Sequence, residues 1–447
     1  MRSIANLELP VLPLFQSAFT TAATFARAKL LGVAAILTTG RRTVTNLLRT
    51  VTGLAEGDPS SYHRVLSLAQ WSGLKLACLL TRFLLHHFWP QGRVRLVGDD
   101  TVTEHPGRQV HGKARHRDPV RSSHAYTAWR WGHQWVVLAV LVQFPFARRP
   151  WALPVLVALY RSVEDNRRRG RPHRTPAQRL RLLLRLLLRW FPGRQFVFAG
   201  DQNYGGHDMA ALAPRTQGRL HVVSKFYPDA ALYEPPPAYD GHGRPRIKGA
   251  KLLTPQEVVA QAERTRLNVA WYGGGRRDVE VVSGIGHWYR AGQGLVPVRW
   301  VYVHDLTGSH RDEYFYSTDL DRTPQEIIEE YTGRWNIETT FADARAYLGL
   351  ESTRGRCART VGRAEPCLLG LYSVVAVMYG LLPAAAQEQG VVDWAGKDTV
   401  TFADAITAVR RWLWTQWVFP QVGPAEAFAK LPEAFRQLLL YALAPAA

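Results

Sequence analysis

Residues 323–350 read TPQEIIEEYTGRWNIETTFADARAYLGL. The stretch predicts one amphipathic helix. At about 100° per residue, spacings of three, four and seven bring Tyr331, Arg334, Glu338 and Arg345 onto one narrow stripe. A carboxylate flanked by a phenol and two guanidiniums along one face is poorly explained by core packing. It suits an arrangement that holds a metal ion beside a phosphate. The plainer readings are that Glu338 is an ordinary i, i+4 salt-bridge partner of Arg334, and that Tyr331 packs the core with its hydroxyl at the edge.

Upstream of this helix the pattern is α/β. The run RVRLVG (93–98) alternates apolar and polar residues and ends at Asp99-Asp100-Thr101. Residues 124–142 contain WRWGHQWVVLAVLV, one or two buried strands. Thr175-Pro176 opens a helix with a good N-cap and first-turn pair, and Arg181, Arg185 and Arg189 line one edge of its leucines. A short strand, 195–199, ends at Gly200-Asp201, and another follows at 220–223. Residues 228–320 turn Pro- and Gly-rich with strand-like runs DVEVV and VPVRWVYVHDL. The expected organisation is a helical N-terminal DNA-binding region (1–92), a core in two parts (93–227 and 321–386) around a β-rich insertion (228–320), and a helical C-terminal region (387–447).

The 447 residues carry 56 Lys plus Arg against 36 Asp plus Glu, a formal charge of +20. Spread along the whole chain, such an excess points to a polyanionic partner, nucleic acid before acidic membrane. Cys78, Cys357 and Cys367 form no CxxC pair, which suits a reducing cytoplasm and argues against a disulfide framework or structural zinc. The start, MRSIANLELP, lacks the pattern of a signal peptide. Residues 366–387 are uncharged and long enough to span a bilayer, yet their setting predicts a buried core helix rather than a membrane span.

Phosphodiester cleavage with divalent metal needs a few carboxylates converging on one point, and magnesium is satisfied by two or three of them plus water. In open α/β sheets functional residues gather at the carboxyl ends of strands. Asp100 and Asp201 are placed there, and Glu338 lies on the helix beyond the insertion. In these motifs (VGDDT, FAGDQNYGG, and Tyr331, Arg334, Glu338 with Arg345) the chain resembles DDE transposases of bacterial insertion sequences. The branch it resembles has an RNase H-like, retroviral-integrase-like core interrupted by a β insertion. Its signature is Tyr, Arg, Glu and Lys. Here Arg345 stands for the lysine, exchanging a point charge for a fork.

The resemblance covers roughly residues 93–385. It implies Asp100, Asp201 and Glu338 as metal ligands and catalytic residues, with Tyr331, Arg334 and Arg345 contacting DNA phosphates. It further implies Mg²⁺ as cofactor (Mn²⁺ as substitute), and double-stranded DNA of terminal repeats and target as substrate. Members cut and rejoin DNA ends, often through a hairpin intermediate, as homodimers on paired ends. That reading places the protein in the cytoplasm with the nucleoid and away from membranes. A catalytically inactive, transposase-derived DNA-binding protein is the alternative. Asp99 rivals Asp100 as first ligand, the threonine after Asp100 favouring the latter. Asp208 competes weakly with Asp201.

His105, His111, His116, His124 and His133 read as loop and strand residues rather than a zinc site. The basic runs 167–174 and 241–251 are candidates for phosphate contact. Among Trp271, Trp288 and Trp300 the resemblance implies an aromatic that stacks on a flipped base, and core packing is the other reading for each.

Overall fold

The alternating run after Arg93 becomes a strand well beyond the predicted Gly98. In the computed structural model, β1 spans Val94–Glu104, so both Asp99 and Asp100 lie inside a strand rather than after one. The structure describes residues 11–118, 121–123, 125–239, 241–388, 395–423 and 425–445. The signal-peptide reading of residues 1–10 and the placement of His124 fall outside them.

Before β1 come α1 (Ala22–Leu37), α2 (Val44–Thr50), α3 (Pro59–Ser67) and α4 (Gly73–Phe88). Each is opened by a side-chain cap, from Thr21, Thr43, Asp58 and Ser72 in turn. Residues 68–72 separate α3 from α4. After β1 follow β2 (Ala114–Arg117), β3 (Trp129–Val142), β4 (Trp151–Tyr160), α5 (Val163–Arg168), α6 (Pro176–Trp190), β5 (Phe196–Gly200), α7 (His207–Ala210) and β6 (Leu220–Lys225). Then come β7 (Leu232–Tyr233), α8 (Pro255–Val259), β8 (Thr265–Ala270), β9 (Arg276–Arg290), β10 (Gly294–Asp305) and β11 (Glu313–Ser317). The chain closes with α9 (Pro324–Gly333), α10 (Asn336–Leu348), α11 (Ala358–Leu381), α12 (Ala384–Glu388), α13 (Phe402–Leu413), α14 (Phe419–Val422), α15 (Ala425–Ala429) and α16 (Glu433–Leu443).

The fold is mixed α/β with helices at both ends. Among the described residues the strands form one sheet in the order β2-β3-β1-β5-β6-β11-β10-β9-β7, with β4 also on β3 and β8 also on β9. Only β1–β5 and β5–β6 pair in parallel. The strands of the β-rich stretch thus extend the core sheet through β11 on β6 rather than forming a separate layer. α6 supplies the crossover into β5. Its capping box (Thr175, Gln178) and Pro176 set the start, while Leu180, Leu184 and Leu187 are buried.

The uncharged segment lies within α11, which starts eight residues before Pro366, at Ala358. Its length and composition alone would suit a membrane, yet 67% of its most apolar window is buried. Ser373 donates to the Pro154 carbonyl of β4 at 2.8 Å. It is a core helix.

Residues 323–350 are not one helix. Arg334 and Trp335 keep right-handed helical angles but form a tight turn, with N–H groups bonded three residues back to Tyr331 and Thr332. Asn336 Nδ2 takes the Gly333 carbonyl at 2.9 Å. α9 and α10 therefore meet at a break located at the functional stripe. α10 ends at Gly349, whose φ of 63° suits a glycine C-cap.

Candidate active site

Side chains of neighbouring paired residues share a sheet face, and successive ones alternate. β1 and β5 run parallel with Gly98 opposite Gly200. The next residues, Asp99 and Asp201, therefore leave on the same side. That is the side on which α9 covers the sheet, with Ile327, Ile328 and Tyr331 packed on Val197 and Val223. A single guanidinium nitrogen, Nη1 of Arg334, donates to Asp99 Oδ2 at 2.9 Å and to Glu338 Oε1 at 3.3 Å.

Asp201 is fixed by its own turn. Oδ1 accepts from the N–H groups of Asn203 and Tyr204, each at 3.0 Å. Gly205 belongs to this turn because a Cβ there would fall 2.0 Å from Ser224. Asp100 points to the other face. Its carboxylate accepts from the Tyr204 hydroxyl and from Gln134 Nε2, the latter at 2.6 Å. The convergent set in this structure is Asp99, Asp201 and Glu338, and Asp100 is held apart from it.

The electrostatics couple these carboxylates, Asp100 included. Burial, reinforced by Asp100 and Asp201 and opposed by Arg334, pushes the Asp99 carboxyl up to about 7. Burial raises Asp100 as well, with Asp201 adding to it, against the hydrogen bonds from Tyr204 and Gln134. Glu338 is raised by burial and by Asp201, with Arg334 opposing. Burial works against the charge of Arg334, but Asp99, Tyr331, Glu338 and Asp201 outweigh it and hold the guanidinium above its ordinary value. More negative charge is gathered here than Arg334 neutralises.

Three carboxylates are an all-oxygen donor set of the kind hard divalent cations take. Their placement differs from that requirement. Arg334 bridges two of them, and among the described residues no group of three His, Cys, Asp or Glu is spaced to hold a metal ion. As they stand, the carboxylates do not form a closed metal site.

The other stripe residues do different work. Tyr331 is 1% exposed and packs against Phe315 with ring centroids 4.4 Å apart and the rings tilted by 30°, so it packs the core. Arg345 ties α10 to β1, donating to the Thr101 hydroxyl and to the Val102 carbonyl at 3.1 Å, with Glu351 accepting at 3.0 Å. Trp271, Trp288 and Trp300 are all buried, in line with the core reading for each. His105, His116 and His133 are buried, and Asp208 sits in the one-turn α7.

Three residues went unread. Tyr204 and Gln134 fix Asp100, and Arg149 steadies the start of α10 through Asn336 and Thr339 at 3.0 and 2.7 Å. Gln134 left a signal, being a polar residue of an apolar strand on the Asp100 side.

Comparison with known families assigns this architecture. Residues 14–278, more than half of the chain, match the family model described as DDE superfamily endonuclease. The chain belongs to that superfamily. Residues 291–374 match the model described as archaeal putative transposase ISC1217. Among solved structures it is similar to a piggyBac transposase synaptic complex with hairpin DNA, at a TM-score of 0.41 and 10% identity over 95% of this chain and 78% of that one. No curated protein matches the sequence.

Proposed function

We propose that the protein is a DNA transposase that binds the ends of its element, cleaves a strand there and joins the freed 3′-hydroxyl to target DNA. The observation that carries this reading is that Asp99 of β1 and Glu338 of α10 meet on one guanidinium, with Asp201, in the turn after β5, close enough to act electrostatically on all three groups. The reading takes Asp99 rather than Asp100 as the first carboxylate. Once Arg334 releases Asp99 and Glu338, these three would hold Mg²⁺, or Mn²⁺ in its place. The bound metal would polarise a phosphoryl oxygen and make the attacking water or hydroxyl a stronger nucleophile.

The chain's own residues supply position. Arg345 and Arg149 clamp α10 so that Glu338 faces β1. Tyr204 links the Asp201 turn to β1 by donating to Asp100. Arg334, which touches both Asp99 and Glu338, is placed to meet a phosphate once the carboxylates have another partner. The double-stranded DNA substrate, a homodimer on paired ends and a nucleoid location belong to the same proposal. So do the DNA-binding role of the N-terminal helices and the division into core, insertion and flanking regions.

The test is cleavage of DNA carrying the element's terminal repeats, with binding measured in parallel. Asp99→Asn, Asp201→Asn and Glu338→Gln should bind but not cut. Full cutting by any of them removes that residue from the site. The bridging by Arg334 favours a second reading, a DNA-binding protein without catalysis. Wild-type binding with no cutting at any divalent-ion concentration would establish it.

A further inference from the structure

The β2–β3 hairpin presents two tryptophans and two arginines to solvent on one face. Arg115 pairs across the strands with Trp131, and Arg117 with Trp129. Trp129 is 48% exposed and Trp131 60%. Both arginines are exposed, and among the described residues neither forms an ion pair. The guanidinium of Arg115 instead lies 4.4 Å from the centre of the Trp129 ring. Large aromatics left in water side by side are costly unless they meet a partner.

The hairpin is a fixed platform. Behind the exposed face Arg130 is pinned to Asp118 at 2.5 Å and to Glu351 at 3.5 Å. Glu351 also takes Arg345 of α10 at 3.0 Å. The same alternation that brings Asp99 beside Val137 runs on through Trp135 and His133 to Trp131 and Trp129, all on one side of β3. Six residues separate Val137 from Trp131, about 20 Å of strand. That length is on the order of six stacked nucleotides.

We propose that this face is a binding surface for unpaired DNA, the two indoles stacking on bases and Arg115 and Arg117 meeting the adjoining phosphates. Alternating π-faces and guanidiniums are the chemistry that tracks a single strand without reading its sequence. A second copy of the chain fits worse. A two-fold contact through this patch would set its arginines against their own copies, in a protein of charge +20.

The inference rests on the proposed action on DNA, and one experiment separates the two. Binding of the full-length protein to labelled (dT)20 and to a mixed-sequence 20-base-pair duplex is followed by fluorescence anisotropy over a salt series. Trp129→Thr/Trp131→Thr should weaken (dT)20 binding by on the order of tenfold per indole, with the duplex affected far less. Trp131→Tyr should keep most of the affinity, since it retains a ring. Arg115→Gln/Arg117→Gln should lower the slope of log K against log salt by roughly 0.7 per arginine. Thermal melting identifies any variant that has failed to fold, and the salt slope of Arg115→Gln/Arg117→Gln serves in its place: an unchanged slope overturns the assignment. If the wild type binds both DNAs and the double tryptophan variant binds (dT)20 equally well, the surface assignment fails alone. A wild type that binds no DNA defeats the functional reading and this one together. A variant that only loses self-association, with DNA affinity intact, assigns the face to a second copy and overturns the proposal.

Discussion

Replacing Arg334 with glutamine tests the charge balance of the site without measuring catalysis. The side chain is 9% exposed and bridges Asp99, itself 17% exposed, and Glu338. Breaking a buried pair by removing one partner costs about 3–5 kcal/mol, because the remaining charge is left uncompensated. The second contact, to the more exposed Glu338 at i, i+4, adds only about 0.3–0.5 kcal/mol. Unfolding entropy scales with length, so for 447 residues each kcal/mol corresponds to about 1 °C in Tm. Arg334→Gln should therefore melt about 3–5 °C below the wild type at pH 8 in EDTA.

A divalent cation should change that outcome. With Arg334 gone, Asp99, Asp201 and Glu338 remain as an uncompensated oxygen cluster. A cation binding the folded form at a hundredfold excess over its Kd would restore about 2.7 kcal/mol. In 10 mM MgCl2, or CaCl2 where turnover is unwanted, the variant should regain most of its deficit and gain more than the wild type. The assay is melting in EDTA and in each ion, for both proteins. A deficit unchanged by metal would refute the reasoning that Arg334 stands in for a cation, and so would no deficit in EDTA.

Three further outcomes follow from the same geometry. Asp99→Asn should abolish terminal-repeat cleavage while Asp100→Asn retains a measurable fraction of it; single-turnover rates check this, and the reverse order would return Asp100 to the site. Trp288→Ala should cost about 3–5 kcal/mol in a denaturant titration, since its ring is 6% exposed among Phe226, His207 and Tyr316, yet leave DNA affinity unchanged. Glu365 is driven by burial from 4.5 up to about 8, so its contribution to stability is present below about pH 4.5 and is lost as pH rises through 8. Glu365→Gln should accordingly gain on the wild type by up to about 5 kcal/mol between pH 5 and 9, read as a Tm difference that widens with pH; a constant difference would sink this assignment.

Much of this molecule was legible from residue pattern. α6, with its strong periodicity and capped start, falls where the spacing puts it, and α11 is buried as its context requires. β4 was missed because Pro154 interrupts its apolar run. In the sheet that proline sits at a register shift against Ala139, where its missing N–H costs no ladder bond. The break between α9 and α10 was unreadable for another reason. All its residues keep helical angles, and only the hydrogen bonds shift from four residues back to three. The stripe also carries mixed roles. Position on one helix face does not give one function, because the turn re-aims the residues, so Tyr331 packs inward while Arg334 and Glu338 meet each other and Arg334 meets Asp99.

The choice between two adjacent aspartates is the sharpest instance, because a one-residue slip in a strand moves a side chain to the opposite face. The threonine after Asp100 favours that residue only by motif, whereas alternation decides it by geometry. The sequence did contain the decisive pattern, since VGD at 97–99 and AGD at 199–201 are the same two-step ending, a glycine followed by the aspartate. Gly98 and Gly200 pair across β1 and β5. Both lie under the ring of Phe198, and a Cβ at Gly98 would also fall 2.7 Å from Leu180 of α6. The α6 side of the sheet thus leaves little room for a side chain at that pair. Whatever follows it in each strand must face the other side, toward α9 and α10. Asp99 and Asp201 are brought together by the packing of Phe198 beneath them, and Glu338 is met there because the turn at Arg334 redirects the helix onto the same spot.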